Sequence, residues 1–241
     1  MKTIILGDTH GRPNWIKAIA QETDVERVIF MGDYFDNVLF TADEQIANFL
    51  KIIDYKKSNP NVEVIMLIGN HDYHYFPEVG NTRTVGYQES EKIRIEAVVD
   101  AHRKHLQMAY QMENFLFSHA GVSAVFMDKS FGQSRWNETI LVDDLNKLFI
   151  ENPLTFAFCG IDPTGNDVQQ SPIWIRPESL IKANFETITS KFIQVFGHTK
   201  INDIKAVSKI TNGRYHLIDC LGTIGKYMII ENNCIRYNSI F

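Results

Sequence analysis

Three times within the first seventy residues, a short apolar run rich in β-branched side chains stops at a glycine followed at once by a carboxylate or an amide. The runs cover residues 2–6, 27–31 and 62–68, and the stops are Gly7-Asp8, Gly32-Asp33 and Gly69-Asn70. Runs of this kind read as strands buried on both faces. Helical periods fill the gaps, with Trp15, Ile16, Ile19 and Ala20 in the first and Ile46, Phe49, Leu50 and Ile53 in the second. Thr41-Ala42-Asp43-Glu44 opens the second helix as a capping box, and Ser58-Asn59-Pro60 closes it, because the residue before a proline is disfavoured in helix. Strand, loop and helix in repetition predict a parallel sheet with right-handed crossovers. In such sheets ligands bind at the carboxyl ends of the strands.

Beyond this repeat, residues 91–112 keep a helical period, and 115–117 form a short strand leading into Ser118-His119-Ala120-Gly121. Residues 193–196 form another strand, stopped by Gly197-His198-Thr199. The tail reads as a β-meander over 215–219, 227–230 and 234–237, placed in a second sheet. No linker, repeat or low-complexity stretch divides the chain, so a single domain over 1–241 is expected, with 126–183 an irregular insertion over the site. A chain of 241 residues is long enough to bury one such core.

The composition, 44% apolar and 22% charged, is that of a soluble globular protein. A net charge of −5 gives no overall basic footprint for nucleic acid or for an anionic membrane surface. No apolar stretch is long enough for a signal peptide or a membrane span. Cys159, Cys220 and Cys234 are odd in number and lack Cys-x-x-Cys spacing, so they read as free, mostly buried thiols of a reducing cytoplasm.

Five strand ends thus present Asp8 and His10, Asp33 and Asp36, Asn70 and His71, His119, and His198. Hard oxygen donors mixed with imidazole suit Mn²⁺, Fe or Zn²⁺ better than Ca²⁺ or a thiolate-selected metal. Three carboxylates, four histidines and one asparagine exceed the needs of one ion. Two ions sharing a carboxylate, about 3.5–4 Å apart, fit the inventory. His102 and His105 on a helix read as solvent-side, His216 as structural, and His74 as a candidate support behind the third motif.

The ordered set Gly7-Asp8-Thr9-His10-Gly11, Gly32-Asp33-Tyr34-Phe35-Asp36, Gly69-Asn70-His71-Asp72, His119-Ala120-Gly121 and Gly197-His198-Thr199 resembles the calcineurin-like metallophosphoesterases. The resemblance runs from residue 3 to about residue 200. It is closest to the branch of phosphoprotein phosphatases and diadenosine tetraphosphate hydrolases, and Lys200 stands where other branches carry a second histidine. It implies a four-layer α/β/β/α sandwich of two mixed sheets flanked by helices. It also implies that Asp8 and His10 hold one metal, that Asp33 bridges, and that Asn70, His119 and His198 hold the second. His71 would be the general acid and Asp36 its orienting partner.

One position departs from that branch. The arginine expected directly after Asp36 is Asn37, so the phosphate clamp must come from elsewhere. Arg12 and Arg176 are the candidates, beside Asn70, because a guanidinium binds phosphate bidentately. The expected function is hydrolysis of phosphate monoesters, on a phosphorylated small molecule or a phosphoprotein. Hydrolysis of dinucleoside polyphosphates or of nucleic-acid phosphates is the alternative, for which Lys200, Arg135 and Arg176 would form a basic cleft. A non-catalytic scaffold is the remote alternative.

Overall fold

The computed structural model describes residues 1–79, 84–132, 141–160, 162–183 and 191–241. The opening repeat forms as expected: β1 (Lys2–Leu6), α1 (Asn14–Ala20), β2 (Arg27–Phe30), α2 (Ala42–Ser58) and β3 (Glu63–Leu67). The capping box at Thr41 is present, with the Thr41 hydroxyl accepting from the Glu44 N–H and the Glu44 carboxylate accepting from the Thr41 N–H. A four-residue helix, α3 (Asn70–Tyr73), follows β3, so Asn70 and His71 open a helical turn rather than a loop.

The helix expected over 91–112 is shorter. α4 (Lys92–His102) ends in a 3₁₀ turn, and β4 (Leu106–Gln107) and β5 (Ala109–Met112) follow. Leu106 and Ala109 fit a helical period, but their backbones are claimed by sheets: Leu106 pairs with Met66, and Ala109 pairs with Ser118 of β6 (Phe115–Ser118). The Asn146 side-chain carbonyl fixes the corner by accepting from the Met108 and Ala109 N–H groups. Beyond β6 the described elements are α5 (Ala124–Phe131), α6 (Leu141–Glu151), α7 (Pro177–Ala183), β7 (Ile193–Phe196), α8 (Ala206–Ile210), β8 (Tyr215–Leu217), β9 (Lys226–Glu231) and β10 (Cys234–Ser239).

Two mixed sheets result, one in the order β10-β9-β1-β2-β3-β4 and the other β5-β6-β7-β8. The tail is therefore not a meander in the second sheet. β8 runs parallel to β7, whereas β9 crosses over and pairs antiparallel with β1. The physical reason lies in β9 itself: Tyr227, Met228, Ile229 and Ile230 are all buried, and only a strand covered on both faces satisfies that run.

Alternate residues of each strand face different layers. Ile5, Ile29, Leu67 and Met228 pack with Phe117 and Val195 between the sheets. Ile4, Leu6, Val28 and Phe30 face Trp15, Phe49 and Ile52 of the helices on the outer side. Phe196, Tyr215 and Leu217 face Leu180 and Val207 on the other outer side. The arrangement is the expected α/β/β/α sandwich. No helix among the described residues is long and apolar enough to cross a membrane.

Of the thiols, only Cys220 is buried; Cys234 is exposed because it enters β10 straight from the Asn232-Asn233 turn. His102 is half-buried rather than solvent-side, since α4 packs on α2 and sets its ring edge-on to Phe49. His216 is bonded to the Tyr237 hydroxyl and the Gly213 carbonyl, a structural role.

Candidate active site

The ends of β1, β2, β3, β6 and β7 meet along one edge, where a cleft of about 540 Å³ opens. Asp8, His10, Asp33, Asp36, Asn70, His71 and His198 line it, and His119 lies beneath it, fully buried. The backbone is bent to bring them there: His10, Asp33, Asp36 and His198 all have positive φ, from 44° to 68°. Left-handed conformations at non-glycine residues cluster where function requires a particular aim. Two glycines make the close approach possible. A Cβ at Gly69 would overlap the Asp33 carboxylate, and one at Gly197 would overlap that of Asp8.

Three histidines are held in the same way. His10 Nδ1 is 2.7 Å from the Phe35 carbonyl, His119 Nδ1 is 2.8 Å from that of Met31, and His198 Nε2 is 3.0 Å from that of Trp174. A carbonyl only accepts, so in each ring this nitrogen carries the proton and the other nitrogen offers its lone pair to the cleft. His10 Nε2 and His119 Nε2 stand 3.6 and 3.4 Å from the same Asp33 oxygen. The Asn70 side-chain amide oxygen is 3.0 Å from His119 Nε2 and 2.8 Å from His198 Nδ1. Among the described residues, two groups of ligand-type atoms form within 4.8 Å, His10/Asp33/His71 and Asp8/Asp33/His119, and both contain Asp33.

His71 is held differently. Its Nδ1 is 3.0 Å from an Asp36 carboxylate oxygen and 2.9 Å from the Thr84 hydroxyl. Asp36 also accepts from the Tyr75 hydroxyl at 2.6 Å, and His74 Nε2 lies 2.7 Å from it. Burial works against that charge, but the hydrogen bonds from His71 and His74 hold Asp36 down at about 2. Burial lowers His71 too, and is outweighed by Asp33 and Asp36, so the imidazolium is favoured. His10 and His198 fall below the ordinary imidazole range, chiefly through burial.

The carboxylates fit a cation. Asp8 and Asp33 are both buried, and a third buried carboxylate, Asp219, stands beside Asp8. Burial and the neighbouring charges push Asp8 up, and burial and Asp33 push Asp219 up to about 6. Buried carboxylates packed this closely need a proton or a metal ion between them, and the oxygen and imidazole donors here suit hard or borderline divalent ions.

Arg12 and Arg176 also line the cleft, with Lys200. Arg176 is pinned by three bonds, to the Thr164 and His198 carbonyls and the Thr199 hydroxyl. Asn37 is occupied as a brace: its amide donates to the His10 carbonyl, and its backbone N–H donates to Gln45. Arg135 lies outside the described residues.

Sequence reasoning missed three contributors. Asp219 follows the strand run at 215–218 without a glycine, so it lacked the mark shared by the other motifs. Asp72, within the third motif, is no ligand: its carboxylate accepts from the N–H groups of Asp33, Tyr34 and Gly69, tying two motif loops together. Thr84 carries no motif at all, and only its position against Asp36 and His71 marks it.

A family model for calcineurin-like phosphoesterases matches residues 1–199. No curated protein matches the chain. Among solved structures, a cold-active protein tyrosine phosphatase is similar in fold, with a TM-score of 0.69 and 17% identity over 99% of this chain and 76% of that one.

Proposed function

The chain belongs to the calcineurin-like phosphoesterase family, and is thereby a phosphoric ester hydrolase that uses divalent metal ions; from that premise we propose that it hydrolyses phosphate monoesters at a dinuclear centre. The observation that carries the reading is the sharing of Asp33 between the two groups of candidate ligands. By the resemblance, Asp8, His10 and Asp33 would hold one ion, and Asp33, Asn70, His119 and His198 the other, whereas the observed groups set Asp8 beside His119 and His71 beside His10. Mn²⁺ is the first choice, with Fe or Zn²⁺ next. Bound there, the ions would lower the pKa of a water and neutralise charge on the phosphoryl group.

The protein's own residues supply the rest. Arg176 and Arg12, with the Asn70 amide, would grip the phosphoryl oxygens, and Arg176 arrives already fixed in place. The water oxygen joins phosphorus, the ester P–O bond breaks, and the departing alkoxide takes a proton from His71 Nε2. Asp36 keeps that ring protonated and aimed. His71 also stands within ligand distance of His10 and Asp33, so its role as acid rests on the carboxylate that holds its Nδ1, where the other three rings are held by a backbone carbonyl.

A second reading, hydrolysis of dinucleoside polyphosphates, is favoured by the three cations at the cleft. Mn²⁺-loaded protein assayed on an aryl phosphate, a phosphopeptide, a dinucleoside tetraphosphate and a cyclic phosphodiester separates them. Turnover of the first two supports the monoesterase, and selective turnover of the third replaces it with the alternative.

A further inference from the structure

Ten large hydrophobic side chains are exposed among the described residues, and most are scattered singly, which is ordinary. Three are not scattered. Val38, Leu39 and Val85, exposed by 81%, 78% and 90%, all line the cleft. They reach it on two backbone segments anchored at one residue, Asp36. Val38 and Leu39 follow it in the chain, and the Asn37 side-chain oxygen accepts from the Leu39 N–H at 2.9 Å, fixing the turn. Val85 lies between Thr84, which donates to the Asp36 carboxylate, and Gly86, which packs so closely on the Asp36 carbonyl that a Cβ there would approach it to 2.8 Å. Gly86 has φ 89°, a conformation that side chains rarely adopt.

The cleft is therefore polarised. Arg176 bonds to the His198 carbonyl, and Arg12 packs against Gly222 and is attracted to Asp219 and Asp8. The apolar lip borders the part of the cleft where Asp36 holds His71. In any phosphate monoester the leaving alcohol must face the proton donor, so its carbon skeleton would lie on this lip.

We propose that Val38, Leu39 and Val85 form the leaving-group subsite, and that the substrate is a phosphate monoester of an alcohol with an apolar alkyl or aryl body. The proposal rests on the monoesterase reading and on His71 as the proton donor. Strongly polar alcohols, such as sugars, would leave the lip wet and gain nothing from it.

The test uses n-alkyl phosphates from ethyl to octyl, whose leaving-group acidity is nearly constant, so that chemistry does not vary along the series. With Mn²⁺-loaded protein, kcat/KM should rise about two- to fourfold per methylene over the first few carbons, as expected for partial to full burial of each group. It should level off once the lip is covered. Octylphosphonate should bind more tightly than methylphosphonate by calorimetry, at least tenfold. In the triple variant Val38→Ser, Leu39→Ser, Val85→Ser, the octyl-to-ethyl ratio should fall at least tenfold, and circular dichroism checks the fold. A flat chain-length profile with active enzyme overturns the subsite while leaving the monoesterase intact. Chain-length-dependent phosphonate binding without hydrolysis of any monoester sinks the monoesterase reading and leaves the lip standing. A wild-type dimer that the variant dissolves, with the ratio unchanged, makes the lip an interface between copies and overturns the proposal.

Discussion

Replacing Asp36 by Asn tests how the proton donor is held. The change removes a charge and little else: Asn tolerates the left-handed backbone that Asp36 adopts at φ 63°. Its amide oxygen can take the place of the oxygen facing His71, with the NH₂ group turned to the Tyr75 hydroxyl oxygen. What changes is the strength of one hydrogen bond. A bond to a charged group contributes about 1.5–3 kcal/mol, and its neutral counterpart about 0.5–1.5 kcal/mol. The imidazolium of His71 therefore loses about 1–1.5 kcal/mol, and with 1.36 kcal/mol per pKa unit its pKa falls by about one unit. The direction follows from the linkage. A general acid works while protonated, so activity is lost as pH rises through the His71 pKa. That pKa is raised in the native protein by Asp33 and Asp36. Asp36→Asn should then move the alkaline limb of the kcat/KM profile about one unit to lower pH, costing about fivefold in rate at the old midpoint and approaching about tenfold above it. The assay is a pH profile with an alkyl phosphate, with metal content measured in parallel. An alkaline limb that stays in place, with both metals retained, would refute the pairing of Asp36 with His71.

Other substitutions probe neighbouring links. His71→Asn should keep the metal content near wild type and lower the rate on alkyl phosphates by roughly 10²–10⁴-fold, with a smaller loss for p-nitrophenyl phosphate, whose leaving group departs unprotonated; a stripped metal or equal losses would make His71 a ligand or a support. Asp33→Asn should reduce the metal content from about two ions per chain and damage activity more than loss of any outer ligand, as elemental analysis and a rate assay would show; a single tightly bound ion in the wild type counts against sharing. Gly197→Ala should push the Asp8 carboxylate out of place and weaken metal binding about 10- to 100-fold, measured by titration. Burial lowers His119, but its bonds and charge pairing with Asp33 raise it above the ordinary imidazole value, and a proton there competes with a metal at Nε2. Metal affinity should therefore begin to weaken at higher pH than for an ordinary histidine site; an affinity constant down to pH 5 would contradict this.

The sequence by itself determined the five strands that end in the motifs, the order of those motifs and the chemistry gathered at them. A buried strand must be an apolar run, and an abrupt turn at its end requires glycine, so Gly7-Asp8, Gly32-Asp33 and Gly69-Asn70 announce themselves locally. That Asn70 and His198, 128 positions apart, touch at 2.8 Å follows from strand ends sharing one edge. Only the tertiary structure decided the rest. Whether Leu106 and Ala109 continue a helix or enter two sheets depends on partners far along the chain, Met66 and Ser118. β9 chose β1 over its sequence neighbour β8 because its apolar run needed covering on both faces. The proton acceptors that aim the ligand histidines are the backbone carbonyls of Phe35, Met31 and Trp174, groups that every residue possesses and no motif can mark. Asp219 joins Asp8, and Thr84 and His74 join Asp36, through folding alone. Local spacing records what a residue can do, whereas a hydrogen bond across dozens of residues is made only when the sheets have brought its two ends together.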